Sequence, residues 1–256
     1  MGKSTPTQVH TGTMLRFTLH PVVLEAAVGA GMEFLMADLE HGAFTIDQVE
    51  SFAAIARNTR LRFYIRAPQL SREWVSRPLD SGVHGVMIPM LETEEQARQL
   101  VGWAKYPPLG RRGVSSIGCH TRFNKINDLV ELMARFNNET YAIAQIETQK
   151  GVDACEAIAA VEGIDALVIG PNDLSVSLGC PGEQTTPHME HAITRVAQAA
   201  RKNGKLFGMH AGLSCLKHYA HLKMSFLMCS NDMTVVHNGV TDIAENLTQL
   251  RNKGER

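Results

Sequence analysis

Acidic, basic and amide side chains recur directly after short apolar runs of this sequence. They are, in chain order, Asp38, His41, Arg66, Gln145, Glu147, Asn172 and Asp173. A single residue of this kind after a strand is an ordinary helix cap or surface group. Four apolar runs that all end in such side chains are harder to explain by structure alone, and they predict a reactive or binding site.

Glu147 and Asp173 end two consecutive runs, so their carboxylates could converge on one point. Two carboxylates with room for water suit Mg²⁺ or another hard cation. No Cys/His cluster accompanies them in the sequence, which argues against structural zinc. Taken singly, each acid could instead be favoured by a helix N-terminus.

Asp38 and His41 lie three residues apart just past a run. A turn there could let Asp38 hold the imidazole in one tautomer, leaving the other ring nitrogen free for proton transfer. Arg66 comes two residues before Pro68. Its planar guanidinium suits a carboxylate or enolate oxygen, although an ion pair with Glu40 or Asp38 is an alternative role.

The elements that must position these residues alternate between strand and helix. Eight apolar runs, each followed by a helix-like segment, give one unit per 256/8 = 32 residues. This predicts an α/β fold, a (β/α)8 TIM barrel in one domain over residues 1–256, whose chemistry lies where the strands end. The runs are residues 14–18, 34–37, 61–65, 85–89, 141–146, 166–169, 205–209 and 225–229. A doubly wound open sheet is the alternative, but the G-x-G-x-x-G pattern is absent.

Other segments give weaker expectations. Residues 170–182 and the Gly/Pro-rich residues 106–118 are expected to be loops, and closing helices are expected at 213–221 and 241–251. In the second loop, Arg111 and Arg112 could close over an anionic substrate or could be solvated. His210 ends the seventh run, where it could reach a substrate.

Composition excludes several functional classes. The 25 basic and 26 acidic residues give a net charge of −1, which argues against a nucleic-acid-binding protein. No apolar run approaches the roughly 20 residues of a membrane span, and residues 1–6 lack a secretory or myristoylation signal. The five cysteines are widely spaced, which is typical of free thiols in the cytoplasm.

The chain resembles the HpcH/HpaI aldolases, metal-dependent class II pyruvate aldolases, over about residues 12–182. Six stretches carry the resemblance, in the family's order: MADLEHG at 36–42, YIRAP at 64–68, GVHGVMIP at 82–89, YPPLGRRG at 106–113, AQIET at 144–148 and GPNDLSVSLG at 170–179. The likeness weakens after Gly182. It implies a TIM barrel that forms or cleaves a carbon–carbon bond next to a 2-oxo acid such as pyruvate, with an aldehyde acceptor.

The resemblance also implies roles for individual residues. Glu147 and Asp173 would ligate a divalent ion, with Mg²⁺ favoured over Mn²⁺ or Co²⁺, and Arg66 would bind the enolate or keto oxygen. His41, oriented by Asp38, would move protons.

Two further residues complete the implied site. Gln145 would hydrogen-bond the substrate, and the backbone amides near Asn172 and Asp173 would hold its carboxylate. Members of the family often form hexamers with an exchanged C-terminal helix, so a homo-oligomer, a hexamer or a trimer, is expected.

Two other functions remain open. Some relatives of the fold condense oxaloacetate with acetyl-CoA to make citrate for siderophores, and His210, Arg111 and Arg112 could serve such a larger anionic substrate. A non-enzymatic 2-oxo acid-binding protein is the second. No lysine ends a predicted strand, which argues against Schiff-base chemistry.

Overall fold

A computed structural model describes residues 9–254 of the chain and shows a closed barrel of eight parallel strands in sequential order. The predicted (β/α)8 fold is therefore confirmed. The strands are β1 His10–Leu15, β2 Phe34–Asp38, β3 Arg62–Arg66, β4 Gly85–Ile88, β5 Tyr141–Ile146, β6 Ala166–Ile169, β7 Leu206–Ala211 and β8 Phe226–Asn231.

Helices surround the barrel and cover the outer faces of its strands. They are α1 Pro21–Gly29, α2 Ile46–Ala56, α3 Arg72–Asp80, α4 Glu94–Ala104, α5 Leu129–Glu139, α6 Gln149–Asp153, α7 Cys155–Ala160, α8 Pro171–Ser177, α9 Pro187–Lys202, α10 Leu213–His218 and α11 Asp232–Gly254. Thr45 and Thr93 begin α2 and α4 with capping boxes, in which the side chain accepts a hydrogen bond from the third helical N–H. The sequence thus fixes where these helices start.

Large side chains fill the barrel interior near the N-terminal ends of the strands. The rings of Phe34 and Phe226, each the first residue of its strand, stack with centroids 4.4 Å apart. Tyr64 meets Tyr141 at 5.5 Å, and both side chains are buried. This apolar plug closes one end of the barrel, so polar groups collect at the opposite end.

The first strand begins earlier than the sequence pattern predicts. β1 covers His10–Leu15 rather than 14–18. It also ends earlier, at Leu15, because the backbone N–H groups of Arg16, Phe17 and Thr18 donate to the carboxylate of Asp232 instead of a neighbouring strand.

Two helices occupy segments that the sequence analysis left without helix. In α5, Asp128 caps the first turn by accepting from the N–H groups of Val130 and Glu131. In α8, Pro171 occupies the first helical position, where its missing N–H costs nothing. The expected loop 170–182 is therefore helical in its first half.

The closing helices also differ from expectation. α10 ends at His218 and continues as a 3₁₀ turn, Tyr219–Leu222. α11 starts nine residues before the predicted 241, because Asn231 accepts a hydrogen bond from the N–H of Thr234 and begins the helix early.

All five cysteines are free thiols, as predicted. Within residues 9–254 no helix is long and apolar enough to cross a membrane. The expectation about residues 1–6 lies outside the described part of the chain.

Candidate active site

A cavity of about 620 Å³ opens at the C-terminal end of the barrel. Five of the seven predicted site residues line it: His41, Arg66, Gln145, Asn172 and Asp173. The other two, Asp38 and Glu147, are buried beside it, and each hydrogen-bonds a lining residue. The strand ends thus bring the predicted residues to one place.

Asp38 and Arg66 occupy paired positions on β2 and β3. Arg66 Nε donates to Asp38 Oδ1 at 2.9 Å, and Nη2 donates to Oδ2 at 2.6 Å. Burial acts to raise the pKa of Asp38, but the hydrogen bonds and positive charge of Arg66 outweigh it, so the pKa lies below its ordinary value. Both groups are therefore charged, and the guanidinium is held in one orientation.

His41 borders the cavity with its ring half exposed. Its backbone N–H donates to Asp38 Oδ1 at 3.3 Å. The imidazole Nε2 instead lies 3.9 Å from Glu40 Oε2. The expectation that Asp38 holds the ring is corrected accordingly: Asp38 uses its oxygens on Arg16, Arg66 and two backbone N–H groups, and so positions the turn rather than the imidazole.

Glu40 is a site residue that the sequence analysis considered only as a partner for Arg66. Its Oε2 lies 3.0 Å from Arg66 Nη1 in a buried position. Burial raises the pKa of Glu40, and the charge of Arg66 opposes that rise. The Arg66 guanidinium is therefore paired with two carboxylates, that of Asp38 and that of Glu40.

Gln145 and Glu147 stand two residues apart across the end of β5. Gln145 Nε2 donates to Glu147 Oε2, and the backbone N–H of Met90 donates to Glu147 Oε1 at 2.8 Å. Burial, together with the charge of nearby Asp173, raises the pKa of Glu147 to about 7. Gln145 Oε1 is buried without a hydrogen-bond partner in the described chain.

Gly170 lets β6 pass close to these two side chains. A Cβ on Gly170 would lie 2.2 Å from Glu147 Oε2 and 2.6 Å from Gln145 Nε2. Asp173 follows in the exposed first turn of α8 and acts electrostatically on Glu147. The N–H groups of Asn172 and Asp173 in this turn have no acceptor within the helix.

The donor set fits one hard dication. The negative charge of Asp173 opposes ionisation of Glu147, and Gln145 leaves an unpaired buried oxygen at the same place. A divalent ion would relieve the repulsion between the carboxylates. Within residues 9–254 no group of three or more His, Cys, Asp or Glu side chains is placed to hold a metal ion.

Two residues that no sequence motif indicated also shape the cavity. Arg16, just after β1, donates from Nε to Asp38 Oδ2 at 3.0 Å and lines the cavity. Asp232 holds the backbone of residues 16–18 in place. The one feature of the sequence that could have indicated these two residues is that each directly follows a strand.

His210 lies in β7 and lines the cavity, in agreement with the expectation. Its Nε2 is 3.0 Å from the carbonyl oxygen of Ser230. Burial lowers the pKa of His210; the hydrogen bond to Ser230 opposes this shift, and the charges of Arg66 and Arg16 add to it. The imidazole is therefore neutral, with Nε2 as the donor to Ser230.

Arg111 and Arg112 do not reach this cavity within the chain, contrary to one of the two roles considered. Their loop follows α4 and so lies at the N-terminal end of the barrel. Arg112 is buried there, with Nη2 2.6 Å from Asp80 Oδ1 and its guanidinium carbon 4.8 Å from the centre of the Tyr106 ring.

Known proteins match this chain over most of its length. The profile of the HpcH/HpaI aldolase/citrate lyase family matches residues 17–218. The chain belongs to this family. A 5-keto-4-deoxy-D-glucarate aldolase of Klebsiella pneumoniae is 31% identical over 227 residues, 88% of each chain. The crystal structure of an HpcH/HpaI aldolase from Desulfitobacterium hafniense superposes with a TM-score of 0.89 at 30% identity, covering 94% of this chain and 93% of that one.

A citrate synthase, SbnG, has the same fold. It superposes with a TM-score of 0.83 at 22% identity, covering 98% of this chain and 96% of that one. At that identity the likeness concerns the fold alone. Family membership makes this chain an enzyme, a carbon–carbon lyase of the aldolase type that acts on small molecules.

Proposed function

We propose that this protein is a divalent-metal-dependent aldolase that acts through the enolate of pyruvate or a related 2-oxo acid, with an aldehyde as acceptor. One observation carries the proposal: the buried guanidinium of Arg66 and the carboxylate of Asp173 line the same open cavity, and the buried carboxylate of Glu147 lies beside it, where the charge of Asp173 opposes its ionisation. A fixed guanidinium and a metal ion held by carboxylates each stabilise the negative charge of an enolate.

Glu147 and Asp173 are the proposed metal ligands, with Mg²⁺ as the favoured ion and Mn²⁺ or Co²⁺ as alternatives. When bound, the ion would act as a Lewis acid that stabilises negative charge on the keto oxygen. Gln145 supports this arrangement because its amide N–H holds Glu147 while its free Oε1 can accept from a bound water.

Arg66 is the proposed binding group for the 2-oxo acid. Its bond to Asp38 fixes the plane of the guanidinium before substrate arrives, so no reorganisation is needed when charge develops. The substrate carboxylate would accept from the N–H groups of Asn172 and Asp173 in the first turn of α8.

His41 is the proposed group that moves protons. Its ring is exposed to the cavity and close to Glu40, so it can exchange protons with an acceptor entering from solvent. Asp38 contributes by fixing the turn that carries His41.

We also propose that the protein is a homo-oligomer assembled through α11. Six side chains repeat on this helix at alternating spacings of three and four, and all are exposed: Met233, Val236, Val240, Ile243, Leu247 and Leu250. A continuous apolar stripe of this kind is typical of a helix that packs against another chain. The stripe supports assembly without distinguishing a hexamer from a trimer.

The citrate synthase-like alternative loses part of its support. Arg111 and Arg112, which could have bound a larger anion, belong to the other end of the barrel. His210 is neutral and already donates to Ser230. An aldol reaction of a small 2-oxo acid fits these groups better.

The test is proton exchange of pyruvate. Protein, Mg²⁺ or Mn²⁺ and pyruvate are mixed in D₂O, and the methyl signal is followed by NMR. Loss of that signal, abolished by EDTA and in Glu147→Gln but kept in Glu156→Gln, is the expected result. Release of free thiol from oxaloacetate and acetyl-CoA without exchange would instead support citrate formation. If neither reaction is observed, the proposed enzymatic activity is refuted.

A further inference from the structure

A second cavity, of about 450 Å³, lies at the opposite end of the barrel from the candidate active site. Its position follows from two wall residues: Arg62 is the first residue of β3, and His84 directly precedes β4. The remaining walls come from the end of α2, the segment 120–124 and α5. Nothing in the proposed aldol reaction uses this cavity.

The walls of this cavity are strongly basic. Four arginines and one acid, Glu139, line it, so the formal charge of the lining is 4 − 1 = +3. The arginines are Arg57, Arg62, Arg122 and Arg135. They come from four separate segments of the chain, so the fold brings like charges together rather than apart.

Several contacts hold these guanidinium groups in place. Arg57 Nε donates to the carbonyl oxygen of Gly82 at 2.6 Å, and Arg122 Nη2 donates to the carbonyl oxygen of Arg57. The guanidinium carbons of Arg57 and Arg135 lie 5.9 and 5.0 Å from the centre of the Phe136 ring. Burial lowers the pKa of Arg57 to about 10, although the charge of Glu139 opposes this shift and that of Arg122 adds to it. The guanidinium therefore remains charged at neutral pH, but its burial destabilises the charged form.

The segment that carries Arg122 adopts an unusual backbone. Arg122 and Phe123 both have left-handed conformations, with φ of 53° and 56°, although neither is glycine. A non-glycine residue keeps this unfavourable conformation only where contacts with the surrounding structure impose it. His120 anchors the segment, because its Nδ1 and Nε2 lie 3.1 and 3.0 Å from the carbonyl oxygens of Asp80 and Ser115.

We propose that this cavity is a second ligand site, which binds a small organic phosphate monoester. Guanidinium groups match phosphate oxygens two at a time, and a dianion would offset the repulsion among the four arginines. The cavity is larger than a phosphate ion requires and falls in the size range of small-molecule sites. Leu61 and Phe136 provide an apolar wall for the organic part of the ligand.

The candidate active site is not suited to bind a phosphate monoester in the same way. Its proposed metal requires the carboxylates of Glu147 and Asp173, whereas Glu139 is the one carboxylate that lines the second cavity among the described residues. The two sites are separated by the apolar plug of Phe34, Tyr64, Tyr141 and Phe226.

The test is calorimetric titration with glycerol 3-phosphate and, separately, with inorganic phosphate, at an ionic strength fixed with chloride. We expect saturable binding of glycerol 3-phosphate at least as tight as that of phosphate, weakened at least tenfold in Arg135→Gln and in Arg122→Gln. Arg98→Gln is the matched control, because Arg98 is exposed on α4 and pairs with Glu94. Arg135 is exposed, so its replacement leaves the fold intact, as far-UV circular dichroism verifies.

Three results would overturn the proposal. They are no saturable binding to the wild type, unchanged affinity in both arginine variants, and binding of inorganic phosphate but not of glycerol 3-phosphate. Arg66→Gln must retain the affinity, since its loss there would place the bound phosphate in the candidate active site. The outcome is independent of the pyruvate exchange experiment, so failure of one proposal does not decide the other.

Discussion

Arg66 and Asp38 form a buried, two-bonded ion pair between paired positions of adjacent strands, with donor–acceptor distances of 2.9 and 2.6 Å. Only a planar group with two parallel N–H donors, such as a guanidinium, can make both bonds at once. The pair explains how a strand end can present a cation to the cavity in a fixed orientation, with Nη1 beside Glu40.

Replacing Arg66 with lysine tests this relationship. Lysine keeps the positive charge but cannot make both bonds to Asp38 while facing the substrate, so we expect kcat/KM for aldol cleavage to fall by about 10²–10³-fold. Steady-state kinetics with a 2-oxo acid product assay measures this effect. Arg98→Lys is the control. A decrease in kcat/KM smaller than threefold in Arg66→Lys would show that the positive charge alone, without the bonds to Asp38, is enough for activity.

Gly170→Ala tests how closely β6 approaches the proposed metal ligands. The new Cβ would lie 2.2 Å from Glu147 Oε2, so Glu147 must move. We expect a destabilisation of about 1–3 kcal/mol, typical of overpacking, together with a loss of most activity. Urea unfolding and pyruvate exchange measure the two effects.

Gly29→Ala provides the matched control for that substitution. A Cβ at Gly29 has nothing within 4 Å, so stability and activity should be unchanged or slightly improved. Equal behaviour of the two alanine variants would contradict the close approach at Gly170.

Glu147→Gln and Asp173→Asn test the proposed metal ligands. Each removes one of the two negative charges, so we expect Mn²⁺ affinity, measured by electron paramagnetic resonance of the free ion, to fall at least about tenfold. Glu156→Gln removes an exposed acid that pairs with Lys202 and should leave Mn²⁺ binding unchanged. Wild-type affinity in both site variants would assign the metal to other ligands.

Much of the fold follows from local pattern. The strand runs are continuous and apolar because both faces of each barrel strand are covered, and this is visible without long-range information. Strands that end at one rim bring their following residues together, which is why Arg66, Gln145 and Asp173 could be placed in one cavity before the structure was known.

The remaining site features depend on contacts that are distant in sequence. Arg16 reaches the site because Asp232, 216 residues away, holds its backbone. The ring of His41 lies beside Glu40 because three other groups already occupy Asp38, and the spacing of Asp38 and His41 alone could not reveal this competition. The position of Arg112 follows from its partner Asp80 on α3.

The apolar stripe of α11 predicts how assembly can be disrupted. A charge in the middle of the stripe would be buried on association, so Ile243→Lys should shift the protein to a smaller oligomer or monomer. Size-exclusion chromatography with light scattering measures the mass. Asp242→Lys, at the adjacent exposed position, is the control. An unchanged mass for Ile243→Lys would exclude the stripe from the interface.

His84 predicts how stability depends on pH. Its Nδ1 accepts a hydrogen bond from the N–H of Phe63 at 3.1 Å, and burial lowers its pKa to about 3. In the unfolded chain the imidazole takes up its proton near pH 6.5, whereas the folded protein resists protonation. As pH falls from 6.5 towards 3, the unfolded state therefore binds more protons and is favoured, by up to about 1.4 kcal/mol per pH unit for this one group.

His84→Asn isolates that contribution, because the asparagine oxygen can accept the same bond from Phe63 without titrating. Urea unfolding at pH 8, 6 and 5 should show a free energy of unfolding that declines less steeply with falling pH in the variant than in the wild type. His188→Asn, at an exposed position in the first turn of α9, is the control and should follow the wild type. Parallel curves for His84→Asn and wild type would mean that His84 is protonated in the folded protein as readily as in the unfolded chain, which its burial and its acceptor role towards Phe63 both oppose.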